Sequence, residues 1–146
     1  MRTIKFRGQG EDGKWLYGDL RQRLGYWPAI IEPYPTDEGK VGYREIAVKE
    51  ETVGQFSGRR DKDGHDIYEG DIVKRTSDIN GDCPMTGVIR YSEESAQFVL
   101  TDEYGKGHPL ISKERYSYGK VIFNVRYSYT LMGNIHENPE LLKSKQ

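Results

Sequence analysis

Short apolar runs alternate with glycine-bearing turns along the whole of this 146-residue chain. Nowhere does an apolar period of 3.6 residues last long enough for a major helix. The 17 glycines fall between the apolar runs, which is the rhythm of many short strands joined by turns. Ile4-Lys5-Phe6-Arg7 alternates apolar and basic, and Trp15-Leu16-Tyr17 follows Asp12-Gly13. An Asp-Gly pair adopts positive φ cheaply, so this stretch predicts a hairpin. Tyr26 to Ile31 predicts a strand, and Pro28 places it at an edge or at a strand start, because proline donates nothing to a ladder.

Pro33 to Gly39 reads as a loop and Arg44 to Val48 as a short strand. Asp63-Gly64 is a second hairpin turn. Glu69-Gly70-Asp71 then turns the chain into a core strand, with Ile67, Ile72 and Val73 as anchors. Thr76 to Pro84 is polar, contains Asn80-Gly81 and reads as a loop. Gly87 to Tyr91 and Gln97 to Leu100 read as two strands of a meander. Thr101 to Tyr118 carries Gly105, Gly107 and Pro109 and reads as a long loop. Lys120 to Val125 and Tyr129 to Ile135 predict two more strands. Asn138-Pro139-Glu140 has a helix start signature, for a helix of one or two turns.

A chain of this length suits one domain, or one domain with a lobe. It buries enough surface to fold without a metal or disulfide. Cys83 is the single cysteine, so no internal disulfide and no multi-cysteine zinc site is available, and a reducing compartment fits. The residues from Met1 to Arg7 carry no long apolar run, and no stretch approaches the roughly 20 apolar residues of a membrane span. The expected location is the cytoplasm. The net charge of -1 removes bulk basicity as a reason to bind nucleic acid.

Four ordered blocks carry a resemblance. They are Ile4–Gly8 with Trp15–Leu20; Thr52–Gly58; Asp61–Gly64 with Ile67–Val73; and Gly133–Ile135 with Glu137–Leu142. Together they resemble the YopX family of phage and prophage proteins. The resemblance implies an all-β fold with N-terminal extended β-hairpins over residues 1-58. Residues 59-146 would form an SH3-like β-barrel with a short C-terminal helix. It further implies a bacterial host cell and hairpins that engage neighbouring subunits. It brings no activity and no catalytic residues. His136 and His65 depart from the family pattern, and nothing in it corresponds to Thr76–Pro84 or Tyr104–Tyr118.

The acids between Gly54 and Val73 invite comparison with a calcium loop. With Gly64 at the sixth position, Asp61 and Asp63 fall correctly, but Arg59 stands first and Gly70 twelfth. The bidentate acid is missing and a cation takes the first position, so no metal is expected. Glu50-Glu51 and Glu93-Glu94 are neighbours along the chain and point to opposite faces in a strand. His65, His108 and His136 stand far apart, without a second ligand at metal spacing. Cys83 has no base near it in sequence. Gly8-Gln9-Gly10 is followed by acids and lacks the strand–helix context of a dinucleotide fingerprint.

One stretch is locally basic. Between Tyr104 and Tyr129, Lys106, Lys113, Arg115, Lys120 and Arg126 face a single acid, Glu114, a local charge of +4. Tyr116, Tyr118, Phe123 and Tyr127 are interleaved with them. Basic groups neutralise phosphates and aromatic rings stack on bases. In the plainer reading, tyrosine suits strands, and lysine and arginine protect sheet edges.

The expectation is therefore a non-enzymatic binding protein without cofactor, membrane or small-molecule ligand, acting as a homo-oligomer. Trp15 and Trp27 supply hairpin apolar surface for that assembly. The alternative is an accessory nucleic-acid binder using Lys113, Arg115, Tyr116, Tyr118, Lys120 and Arg126. A third reading, an enzyme, requires a pocket with convergent polar groups at His65 or His108.

Overall fold

The computed structural model describes residues 1–78, 83–110, 113–117 and 120–143, with 113–125 described by backbone alone. Nearly all regular structure in it is β-strand. Among the described residues no helix is long and apolar enough to cross a membrane. The chain divides into two compact units, Met1–Gly58 and Arg59–Gln146.

In the first unit β1 (Phe6–Gln9), β2 (Trp15–Arg21), β3 (Ala29–Pro35), β4 (Val41–Ala47) and the start of β5 (Gly54–Arg60) form an antiparallel sheet ordered β4-β3-β2-β1-β5. Its core holds Ala29, Ile30, Val48 and Phe56. A Cβ on Gly8 would stand 2.7 Å from Val48 Cγ2, so glycine is what lets β1 lie over that valine. The 3-10 turn Glu50–Thr52 places the Thr52 hydroxyl to accept from Gln9 N at 2.8 Å.

Pairing of β2 with β3 stops at Ile31, whereas β3 pairs with β4 out to Pro35. The expected loop from Pro33 to Gly39 is thus half strand. Among the described residues nothing pairs with one edge of β3 beyond Ile31, and there the missing N–H of Pro33 and Pro35 leaves no ladder bond unmade. The outer half of β3–β4 is a two-stranded arm.

The second unit contains β6 (Asp66–Tyr68), β7 (Asp71–Ser77), β8 (Met85–Ser92), β9 (Gln97–Thr101), β10 (Gly107–Pro109), β11 (Lys113–Ser117), β12 (Lys120–Val125) and β13 (Tyr127–Asn134). Five of them form an antiparallel sheet ordered β10-β9-β8-β7-β13, and β11–β12 is a separate hairpin. Ile67, Val73, Ile89, Leu100, Leu110 and Tyr129 make the core, with Met85, Phe98, Tyr127 and Leu131 packed on it. Asp71 is buried and its carboxylate accepts from Tyr68 N at 2.8 Å, which fixes the Glu69-Gly70 turn; Gly70 has φ 85°.

Three expectations change. Thr101 to Tyr118 is not one long loop, because β10 and β11 lie in it. No ladder joins β10 to β13 among the described residues, so the sheet is open rather than a closed barrel. The C-terminal helix is one 3-10 turn, Pro139–Leu142. Asn138 does not cap it with its side chain, whose oxygen instead accepts from Asn134 N at 3.3 Å.

Four turns share one geometry: 10–14, 36–40, 61–65 and 102–106. In each, the first N–H donates to the fifth carbonyl at 2.8–2.9 Å and the fourth N–H to the first carbonyl at 3.0–3.1 Å. Glycine occupies the fourth position with φ between 73° and 86°, the left-handed region that a side chain resists. These are three-residue hairpin loops with a left-handed closing residue.

Candidate functional site

Two of these turns begin with aspartate and bring a histidine to it. In the first, Asp61, Asp63 and His65 present oxygen and nitrogen atoms within 4.8 Å of one another. Asp61 Oδ1 accepts from Asp63 N at 3.0 Å and His65 N at 2.8 Å. Asp61 Oδ2 lies 3.1 Å from His65 Nδ1 and accepts from Leu131 N at 3.3 Å. Burial pushes the Asp61 carboxyl up, but these hydrogen bonds outweigh it and hold the group at about 2. Three backbone N–H groups already donate to the two oxygens, and the His65 ring takes a fourth contact. A cation needs those lone pairs directed at itself, so this donor set does not fit a metal. The acids of this region lock a turn.

In the second, Asp102 Oδ1 accepts from Tyr104 N and Lys106 N, each at 2.9 Å, and Oδ2 lies 2.8 Å from His108 Nε2. The His108 contact is the largest influence holding Asp102 below the usual carboxylate range. Beside this turn lies a groove of about 610 Å³, lined among others by Met85, Val88, Arg90, Asp102, Leu141 and Leu142. Its one histidine-linked acid is held by the turn's own N–H groups, and no nucleophile–base pair faces it among the described residues.

Of the six residues expected to bind nucleic acid, four fall on the β11–β12 hairpin. Lys113, Arg115 and Tyr116 lie on β11 and Lys120 on β12. Arg115 pairs with Phe123 and Ser117 with Lys120, and the register shifts between Arg115 and Tyr116. Tyr118 lies outside the described residues, as do the side chains of the other four. Arg126 is exposed, and its backbone is tied to Asp78, donating to Oδ1 at 3.0 Å and accepting from Asp78 N at 3.1 Å. Cys83 is free and exposed.

The surface that sequence reasoning missed is the β3–β4 arm. Pro33 pairs with Tyr43 and Pro35 with Val41, and directly opposed residues share a face. All four are exposed, Val41 at 64% and Tyr43 at 68%. The signal was present, because Pro33-Tyr34-Pro35 and Val41-Gly42-Tyr43 flank Thr36-Asp37-Glu38-Gly39-Lys40, the same five-residue turn used elsewhere. Of the two tryptophans expected to offer apolar surface, Trp15 is half-buried under the Arg7 guanidinium at 4.7 Å, whereas Trp27 is exposed along with Leu24 and Tyr26.

The family model described as YopX protein matches residues 5–143. No curated protein matches the chain. Among solved structures, the crystal structure of protein EF1440 from Enterococcus faecalis is similar, with a TM-score of 0.50 and 19% identity over 98% of this chain and 100% of that one. At that identity the likeness speaks for the fold alone. With a family match running from the first strand through the last 3-10 turn, the chain belongs to the YopX family.

Proposed function

We propose that this is a non-enzymatic, phage- or prophage-type cytoplasmic protein that works by binding and that assembles with copies of itself through the β3–β4 arm. The observation that carries the reading is the exposed Pro33, Pro35, Val41 and Tyr43 on one face of that arm. A bare two-stranded ribbon is marginal in water, and an apolar stripe on it gains most by being covered. For the second unit we read an SH3-like sheet. In support, β7 pairs with both its successor β8 and the last strand β13, while β8, β9 and β10 run on as a meander.

Light scattering on the eluting protein tests the assembly. The expected result is an oligomer that Val41→Lys with Tyr43→Glu converts to a monomer with an unchanged circular dichroism spectrum, since both side chains are exposed within one chain. A monomer from micromolar to millimolar concentration overturns it.

A second reading, accessory nucleic-acid binding, is favoured by the placement of Lys113, Arg115 and Lys120 on a single hairpin. It predicts binding of single-stranded DNA or RNA that weakens with salt. Absence of binding at low salt removes it.

A further inference from the structure

The two long edges of the β3–β4 arm are not alike. The phase of its ladder follows from the two ends. Val48 N donates to the Pro28 carbonyl at 2.9 Å, and Thr36 N donates to the Lys40 carbonyl at 2.8 Å. Even-numbered residues of both strands thus turn N–H and C=O toward each other, and odd-numbered residues turn theirs outward. On β3 the outward residues past Ile31 are Pro33 and Pro35, which have no N–H to offer. Along the outer half of β4 they are Val41, Tyr43 and Glu45, each with an N–H and a C=O. β4 is the last strand of its sheet, and among the described residues nothing pairs with its outer side there.

Proteins blunt such edges with lysine, proline, a bulge or a very short strand. β4 has seven residues, with neither lysine nor proline, and its register with β3 runs unbroken from Ala47 to Val41. The edge strand β10 of the other sheet is only three residues long and ends in Pro109. The arm is therefore guarded by proline on one edge and open on the other.

A second copy of β4, running antiparallel about a twofold axis, offers the same outward groups in return. Charge selects among the registers open to it, because like charges directly opposite destabilise a strand pair. An axis at Arg44 or at Glu45 sets that residue against its own copy. An axis at Gly42 sets Arg44 against Lys40. An axis at Tyr43 brings no like charges together. Tyr43 then faces Tyr43, and Val41 faces Glu45. Arg44, bound to Glu32 within its own arm, faces Gly42, which has no side chain to clash with it.

We propose that two copies of this chain join edge to edge through antiparallel β4 strands, with Tyr43 at the twofold axis, in a four-stranded ribbon β3-β4-β4-β3. The inference rests on the self-assembly through the arm proposed above, and names its edge and its register. An axis perpendicular to the ribbon leaves the Pro33, Pro35, Val41 and Tyr43 stripes of both copies on one face. Two strands alone are marginal in water, whereas four with one apolar face meet the requirement for a stable sheet.

The test uses the full chain carrying Cys83→Ser, which removes the exposed native thiol. Val41→Cys and Glu45→Cys are made in separate chains. In this register position 41 of one copy lies about 5.5 Å, Cα to Cα, from position 45 of the other, within disulfide reach. Each position lies about 14 Å from its own copy, beyond that reach. Diamide should link a mixture of the two chains into a covalent dimer, and neither chain alone. A third variant, Val41→Pro, keeps an apolar residue on the stripe but removes one outward N–H. By light scattering it should weaken dimerisation at least about tenfold, with an unchanged circular dichroism spectrum. A native chain that stays monomeric overturns the arm reading and this pairing together, and leaves the open edge to an extended segment of another protein. An oligomer that persists in Val41→Pro, and whose cysteine mixture gives no covalent dimer, overturns the edge pairing alone and leaves the apolar stripe as the contact. Efficient linking of either chain to itself overturns the register.

Discussion

Asp61 and Asp102 occupy the same post in two hairpin turns of the same five-residue geometry, each with glycine fourth and a histidine against the carboxylate. Their surroundings differ. The Asp61 side chain is 2% exposed and that of its partner His65 is 63% exposed. Asp102 and His108 share their burial more evenly, at 16% and 18%. The Asp102 carboxylate contacts to Tyr104, Lys106 and His108 all stay within six residues. Those of Asp61 include Leu131 N, 70 residues away. Beside it, Lys62 N donates to the Tyr129 carbonyl at 2.9 Å. The first turn thereby covers the outer edge of β13, where unpaired strand groups would otherwise be open to another chain. The second turn only closes a hairpin. The same Asp-x-x-Gly pattern thus makes a long-range clasp in one place and a local lock in the other, according to what lies beside it.

The largest expected effect follows from that difference. Asp61→Ala leaves three backbone N–H groups without their acceptor, Leu131 N among them, and should destabilise the protein by about 3 kcal/mol. Asp102→Ala removes bonds of a more exposed turn and should cost less than half as much. Urea denaturation of both variants measures the ratio. Equal losses, or a larger loss at Asp102, would break the comparison.

How far the sequence could carry this distinction depends on which physics is local. Asp63-Gly64 and Asp12-Gly13 were legible as turns, because positive φ is a property of one residue. So was the core role of Ile67, Ile72 and Val73, which follows from strand alternation. The turn at Asp102 was missed: Asp102-Glu103-Tyr104-Gly105 lacks the adjacent Asp-Gly pair, and Gly107 and Pro109 beyond it resemble loop residues although they belong to β10. The arm was missed for a similar reason, as Pro33 and Pro35 argue against a strand until one edge is known to be free. Nothing local marks Asp61 as a partner of Leu131, or Arg75 as a partner of Tyr129. Those pairings exist only once β13 has returned beside β7. The basic residues from Lys113 to Arg126 were found by composition, which places cations on a stretch of chain but does not give them a surface.

The next effect is smaller and depends on pH. Asp61 in the folded protein sits at about 2, below its ordinary 3.8. A carboxyl depressed on folding contributes stability that is complete above the ordinary value and is lost as pH falls toward the folded one. Urea midpoints should therefore drop between pH 4 and pH 2 in the native chain, and Asp61→Asn should flatten part of that slope. An equal slope in both proteins would place the acid sensitivity elsewhere.

The smallest effect is on the imidazole side of the same clasp and has the opposite sign. The hydrogen bond to Asp61 raises His65 above its ordinary 6.5, with the charge of Asp61 adding to it. A base raised on folding contributes stability that is full below its ordinary value and is lost as pH climbs through the folded one. The ring is mostly in solvent, which screens the interaction, so the change in stability is slight and the titration itself is the better readout. The ring protons of His65 should titrate with a midpoint above 6.5 in the native chain and move back toward 6.5 in Asp61→Asn. A midpoint that ignores that substitution would uncouple ring from carboxylate. The clasp would then rest on the backbone donors of Asp63, His65 and Leu131 alone, and its likeness to the Asp102–His108 turn would reduce to backbone geometry.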